Sequence, residues 1–431
     1  MMPKIKVAFH FNRSGCQNID LRFPELGNPG VGGTQFTTIA TAYYLQKYYS
    51  DLVEPILLTS SSELLPPNIQ THTVSDCINA LAKSEALGCD IFVFKSRNSN
   101  DSIYQSLAKA EVKAIARSNN TPDIGGLAEI AQCEAVKAHV CVGHEQLDLL
   151  RDHPIFAKST RIFDLFNGAN FAPREKVNKY GNTVVFIGNI IHPKGFHHLA
   201  RVWPEIVKQK PNAKLIAIGN GKLYNRQSRL GEWGVAEESY EANYIRPFLA
   251  DAEGNPLASV SFVGLLGLEK IAILQNADVG VVNPSGFTEV CPGSALEIQA
   301  CGTPVVSGAK WGLLDTVVSG QTGLLGYSDR DLIRNIVYLL DNPDAAREMG
   351  NNGVEFVKNH FSPQLICRQW LDLFDRIVRD LPPQQQSIKN NYLYRGKIIK
   401  ESMRIVKKNV PLMENIPPLI ELKTLLKSGR K

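Results

Sequence analysis

What the sequence lacks excludes several classes at once. In 431 residues no apolar run approaches the roughly 18 that a membrane-crossing helix requires. The eight cysteines include no CxxC pair, which speaks against a metal ribbon or a small disulfide scaffold. An excess of either charge is missing too: 47 Lys and Arg stand against 42 Asp and Glu, so the net +5 gives no reason to expect a nucleic-acid partner. Charged residues are 21% and hydrophobic ones 44%, values of a globular chain rather than a disordered one. No period of solenoid length recurs. The opening Met1-Met2-Pro3-Lys4-Ile5-Lys6 holds no apolar signal region. Reduced thiols in a cytoplasmic protein are therefore the expectation.

What is present is an alternation of strand and helix signals. Apolar runs at 5–11, 52–58, 91–94, 112–116, 138–142 and 161–166 alternate with helical stretches, the first of them at 34–49. The polar stretch 172–182 reads as a linker, after which the pattern restarts with strands at 183–187, 213–218, 260–263, 279–282 and 304–306 and a helix at 195–208. Near-continuous apolar runs separated by helices predict parallel sheets covered on both faces. The fold class expected is α/β: two Rossmann-like, doubly wound domains facing a cleft, with ligands at the carboxyl ends of the strands. The expected boundaries are 1–171 and 183–361, then a helix at 362–380, then a tail at 387–431. That tail carries eleven Lys or Arg against three Glu, a local +8, so the rest of the chain is slightly acidic.

The densest block of candidate chemistry runs from Asn283 to Val306. It holds Glu289, Cys291-Pro292-Gly293-Ser294, Glu297 and Gly302-Thr303-Pro304. One carboxylate lies in a loop and the second about one turn inside the helix that follows. Small residues at Gly293 and Ser294 leave backbone N–H groups at that helix start able to face an anion. Taken alone, the two glutamates could equally be solvated surface groups. Gly30-Val31-Gly32-Gly33-Thr34 is a glycine turn into a helix, and Asp329-Arg330-Asp331 has metal-binding spacing but follows Ser328 as a helix cap would. His197 and His198 are neighbours on a helix, where adjacent side chains are expected to point apart. No metal site and no cofactor is expected.

In its order of motifs this sequence resembles the family 4 retaining glycosyltransferases of the GT-B fold. The Glu289/Glu297 spacing is similar to that family's E-x7-E region. Val185-Phe186-Ile187-Gly188-Asn189, Pro193-Lys194-Gly195-Phe196 and Pro211 through Gly221 resemble its strand, KG helix and second strand. Val263-Gly264-Leu265-Leu266, Asn276-Ala277-Asp278-Val279, Trp311-Gly312-Leu313 and Gly320 through Leu325 follow in the family's order. Gly30 to Gln35 and Asn167-Gly168-Ala169-Asn170 are looser matches in the N-terminal half.

The resemblance implies that the C-terminal helix around Trp370 crosses back to the N-terminal domain, and it implies roles by position. Lys194 would neutralise a donor diphosphate, Glu289 would face the transferred sugar, and Glu297 would hold ribose hydroxyls. Backbone near Gly293 and Ser294 would contact sugar or phosphate, that near Leu266 the base, and Gly33 would let phosphate or acceptor approach the helix start. The family carries Arg where Asn189 stands, offers an N–H where Pro292 has none, and has a cleft histidine unmatched in Ala116-Arg117-Ser118-Asn119-Asn120. The activity implied is metal-independent, retaining transfer from a nucleotide-diphosphate-sugar to a glycan or lipid-linked hydroxyl. A GT-B epimerase or phosphorylase, and a nucleotide-sugar-binding protein without transfer activity, are the alternatives. In the tail, apolar residues recur at helical spacing among cations between Tyr392 and Val410. That pattern fits either docking on an anionic membrane surface or a helix packed on its own domain.

Overall fold

A computed structural model describes residues 4–13, 16–173, 181–222, 227–389, 391–411 and 413–422. Most of the expected linker (174–180) and the end of the tail (423–431) lie outside the described residues. The chain divides into two units, Met1–Ser14 with Thr38–Asp164 and Ile366–Lys431, and Gly15–Thr37 with Leu165–Leu365. The segment Gly15–Thr37, which the sequence reading keeps with residues 1–171, thus groups with the second unit.

The first unit is built on seven strands: β1 (Ile5–His10), β2 (Val53–Thr59), β3 (Gln70–Thr73), β4 (Ile91–Lys95), β5 (Lys113–Ser118), β6 (Val136–Cys141) and β7 (Ser159–Arg161). All pairs are parallel, in the order β3-β2-β1-β4-β5-β6-β7, so the strand order reverses at β1/β4. In β4, Ile91, Phe92, Val93 and Phe94 are all buried, as a parallel strand covered on both faces requires. Two expectations needed correction. The polar Gln70-Thr71-His72-Thr73 is an edge strand that carries no apolar signal. The strand expected at 161–166 pairs instead over Ser159–Arg161, and Ile162, Phe163 and Leu165 are apolar because they are buried, not because they belong to a ladder.

The first unit is closed by the helix Pro363–Val378, whose residues from Ile366 onward belong to it. Trp370, 1% exposed, meets Phe9 of β1 edge-on at 6.4 Å and Phe374 at 5.6 Å. Lys113 Nζ donates to the carbonyls of Ile377 and Val378 at 3.0 and 3.1 Å, satisfying acceptors that a helix C-terminus leaves unpaired. Trp370→Ala should destabilise this unit by about 3–5 kcal/mol, read as a lower urea midpoint at an unchanged slope. The tail helix Lys397–Asn409 also belongs to this unit, but it turns its cations inward: Lys397 and Lys400 are buried.

The second unit has six strands: β8 (Thr183–Ile187), β9 (Lys214–Ile218), β10 (Val260–Gly264), β11 (Val279–Val282), β12 (Val305–Gly308) and β13 (Gly323–Gly326). They are parallel in the order β10-β9-β8-β11-β12-β13, reversing at β8/β11. Gly323-Leu324-Leu325-Gly326, which begins inside the Gly320–Leu325 motif, is a strand; a Cβ at Gly323 would collide with the Val305 carbonyl across the pair. The core packs Phe186, Phe196, Trp203 and Leu215 between sheet and helices, and Trp203 Nε1 donates to Ser259 Oγ at 3.1 Å.

Candidate active site

The candidate residues of the second unit stand where its strand order reverses, at the carboxyl ends of β8 and β11 and in the loops and helices that follow. After β11 the chain turns through Asn283 (φ 34°), Gly286 (φ 69°) and Thr288 (φ 61°), three departures into left-handed backbone within a single loop. Asn283 ties the turn together. Its Nδ2 donates to Phe287 O at 2.7 Å and to Glu289 Oε1 at 2.9 Å, and reaches Pro193 O at 3.3 Å. Its Oδ1 accepts from Ser285 Oγ at 2.6 Å.

The loop after β8 meets this turn through Gly195, which has φ 69°. A Cβ there would press on Ser285 N and Asn283 Oδ1, so the glycine of the Lys-Gly pair is what allows the two loops to touch. That approach delivers Lys194 Nζ to Glu289 Oε1 at 2.8 Å. Glu289 is 8% exposed, so the pair is largely withdrawn from water. The same carboxylate oxygen therefore takes an ammonium and an amide donor at once, and both fix its direction.

Glu297 lies inside the helix Gly293–Ala300 and is likewise buried, with Oε1 2.7 Å from Lys270 Nζ on the helix Lys270–Asn276. Each glutamate of the E-x7-E pair thus has its own lysine. The helix start is capped by Pro292 without a side-chain hydrogen bond, and Gly293 there is exposed with open space around it. Its first-turn N–H groups point out of the helix end, where an anion would meet them. Asn189, after β8, is 2% exposed, and neither polar atom of its amide has a hydrogen-bond partner among the described residues. Buried amides are normally satisfied, so an unpaired one at a strand end marks a place for a polar group. Leu266 is half-buried in the loop after β10, and Gly33 opens the helix Gly33–Tyr49 and is exposed.

The structure brings Lys194 and Glu289 into direct contact and gives Glu297 a separate partner. Two residues of this arrangement had no role in the sequence reading. Asn283 opens the block that runs to Val306, and its place at a strand end is the signal that marks it. Lys270 belongs to none of the motifs and is 27 positions from Glu297 in sequence.

The histidines also differ from expectation. The rings of His197 and His198, expected to diverge, have centroids 4.4 Å apart, and His192 stacks on His197 at 4.4 Å. Burial, and then the neighbouring His198 and His192, hold His197 down at about 4, so it is neutral at neutral pH. Its Nδ1 is engaged by Tyr240 OH at 2.9 Å, while His198 Nδ1 and Arg201 Nε take the two oxygens of Asp329 at 2.9 and 2.6 Å. Asp331 N donates to Ser328 Oγ at 3.2 Å, so the Asp-Arg-Asp motif serves a helix cap and ion pairs. Among the described residues no three His, Cys, Asp or Glu side chains are grouped to hold a metal ion.

The model of the family described as glycosyl transferases group 1 matches residues 169–356. A capsular polysaccharide biosynthesis glycosyltransferase, CapM of Staphylococcus aureus, is 28% identical over 234 residues, 52% of this chain and 55% of that protein. A GDP-mannose-dependent phosphatidylinositol monomannoside mannosyltransferase of Corynebacterium glutamicum is 24% identical over 198 residues, 45% and 48% of the two chains. The chain spans about half the length of the curated relatives it matches. Among solved structures, the sucrose-phosphate synthase of Thermosynechococcus elongatus is similar at TM-score 0.66 and 18% identity, over 88% of this chain and all of that one. Anabaena HepE in complex with UDP-glucose is similar at TM-score 0.59 and 13% identity, with the same coverage. At such identities these two show the fold alone. Together with the two parallel sheets, the solved structures show the GT-B fold, and the match to glycosyl transferases group 1 covers residues 169–356, somewhat less than half of the chain.

Proposed function

We propose that the protein transfers a sugar from a nucleotide-diphosphate-sugar to a hydroxyl of a glycan or lipid-linked acceptor, with retention of configuration, in building a polysaccharide or glycoconjugate. The observation that carries this reading is the contact of Lys194 with Glu289, held by Asn283 where the loops after β8 and β11 meet. Breaking a sugar–phosphate bond builds positive charge on the sugar and negative charge on the leaving diphosphate. A lysine and a carboxylate side by side supply one opposite charge for each. Lys194 would turn from Glu289 to the diphosphate, assisted by the N–H groups at Gly293 and Ser294. Glu289 would then face the sugar, and the leaving phosphate oxygen would accept the proton of the attacking hydroxyl on the same face. Glu297 uses one oxygen on Lys270 and keeps the other for ribose hydroxyls, Asn189 would donate to the diphosphate, and backbone near Leu266 would border the base. In this proposal residues 183–361 take the donor and residues 1–171, with Gly33 at their helix start, take the acceptor. The comparison supports a nucleotide-sugar donor in that the Anabaena protein was solved with UDP-glucose.

A second reading, a donor-binding protein that does not transfer, is favoured by two features of the donor loops. Asn189 is a neutral amide where the resembled family has a cation, and Pro292 has no N–H to offer. Thermal-shift titration with uridine, guanosine and adenosine diphosphate-sugars separates donors, because a ligand at a hundredfold its Kd adds about 2.7 kcal/mol to stability. We expect one base to stand out, and that donor to be hydrolysed or transferred when acceptors are supplied. Binding without either reaction would establish the second reading, and no binding would defeat both.

A further inference from the structure

The helix Lys397–Asn409 is packed inside out. An amphipathic helix on a soluble domain turns its apolar stripe to the core. Here positions 397, 400, 404 and 407, three or four apart and so on one face, point at the protein. Lys397 and Lys400 are 1% and 2% exposed, and Lys397 Nζ lies 2.6 Å from Glu145 Oε1 and 3.0 Å from Asp148 Oδ2. Lys407 Nζ donates to Asp152 O at 3.0 Å. The outward positions are Ile398, Ile399, Ile405, Val406 and Val410, between 41% and 60% exposed, and Leu393 ahead of them is 84% exposed. The ion pairs fix the orientation and leave the aliphatic side chains in water, which the hydrophobic effect disfavours unless something covers them.

The charge around this face says what covers it. Between residues 391 and 411 the single carboxylate is Glu401, and it is already bridged by Arg151 and Arg404. Lys408 lies on this helix and Lys389 precedes it in the chain, and both are exposed. A surface of aliphatics with cations beside them and no unpaired carboxylate complements acyl chains beneath anionic headgroups. A second copy meeting the same face across a two-fold axis would set those lysines against each other. We propose that the apolar face of this helix docks on an anionic lipid bilayer, with Leu393, Ile399 and Val406 entering the interface. The inward lysines serve to hold the helix, not to bind lipid. This inference stands apart from the donor chemistry.

The test uses the whole protein and vesicles of phosphatidylcholine, with and without about one third phosphatidylglycerol. Wild type should co-sediment with the anionic vesicles. Ile399→Asp with Val406→Asp should cut the bound fraction at least about tenfold while leaving the melting temperature in place, since both side chains are already in water. Lys389→Glu with Lys408→Glu should abolish the preference for anionic vesicles. In Leu393→Trp, indole emission should shift to the blue when vesicles are added. Retention of the aspartate variant at wild-type strength, or an unshifted indole, overturns the proposal. So does a wild type that ignores vesicles and forms a dimer that the aspartate variant splits. Donor binding by thermal shift is read on the same samples, so a failure here leaves the transferase reading to its own test.

Discussion

Glu289→Gln should lower transfer by about a hundredfold to a thousandfold while leaving nucleoside diphosphate affinity equal or slightly tighter. The asymmetry follows from the pairing of Glu289 with Lys194 at 2.8 Å. An amide in place of the carboxylate cannot stabilise a developing oxocarbenium charge, which is an electrostatic loss of the kind that costs two to three orders of magnitude. It also ceases to compete for the lysine, which is then freer to meet a diphosphate. Lys194→Ala should behave differently. It removes a charged donor from the diphosphate, a loss of about 1.5–3 kcal/mol in affinity, and leaves a largely buried Glu289 carboxylate with Asn283 as its remaining described donor. Calorimetry of diphosphate binding beside kcat for transfer distinguishes the pair of variants. Equal losses of affinity in both would mean that the two residues form only a structural ion pair.

The other large effect is expected at Lys270. Lys270→Met leaves the Glu297 carboxylate buried without its cation, and breaking a buried pair from one side typically costs about 3–5 kcal/mol. The second unit should therefore unfold at markedly lower urea, and the donor KM should rise because Glu297 is no longer aimed. Adding Glu297→Gln removes the stranded charge and should restore most of the stability, yet not the donor affinity. That split between stability and binding is what the double-mutant comparison measures. If the single variant melts with wild type, water reaches the pair and the burial argument fails.

These two sites differ in how far the sequence reveals them. Lys194 and Glu289 each sit in a short motif at a strand end, so the resemblance named both, and the glycine beside Lys194 hinted at a close approach. Lys270 could not be named, because its relation to Glu297 depends on how two helices pack rather than on any local spacing. The same contrast holds for the fold. β4, β8 and β11 show as apolar runs because they are buried on both faces, whereas β3 is a polar edge strand and β13 a four-residue strand of two glycines and two leucines. In the tail, periodicity showed one basic and one apolar face. It could not show which face meets the protein, since that is decided by Glu145 and Asp148 some 250 residues earlier in the chain.

The return of the chain to its first unit at Ile366 has a consequence for the order in which the protein is made. Synthesis runs from the N-terminus at about 5–20 residues per second, and domains usually fold as they emerge. β1 to β7 are delivered first, but Trp370, Phe374 and the carbonyls that engage Lys113 arrive only after Leu365, when the second unit is already complete. The earliest-made sheet therefore waits for the latest-made helix, with Phe9 uncovered in the interval. A chain stopped shortly before Ile366 would keep the whole second unit and lose the lid on the first, so damage near the C-terminus is felt at β1.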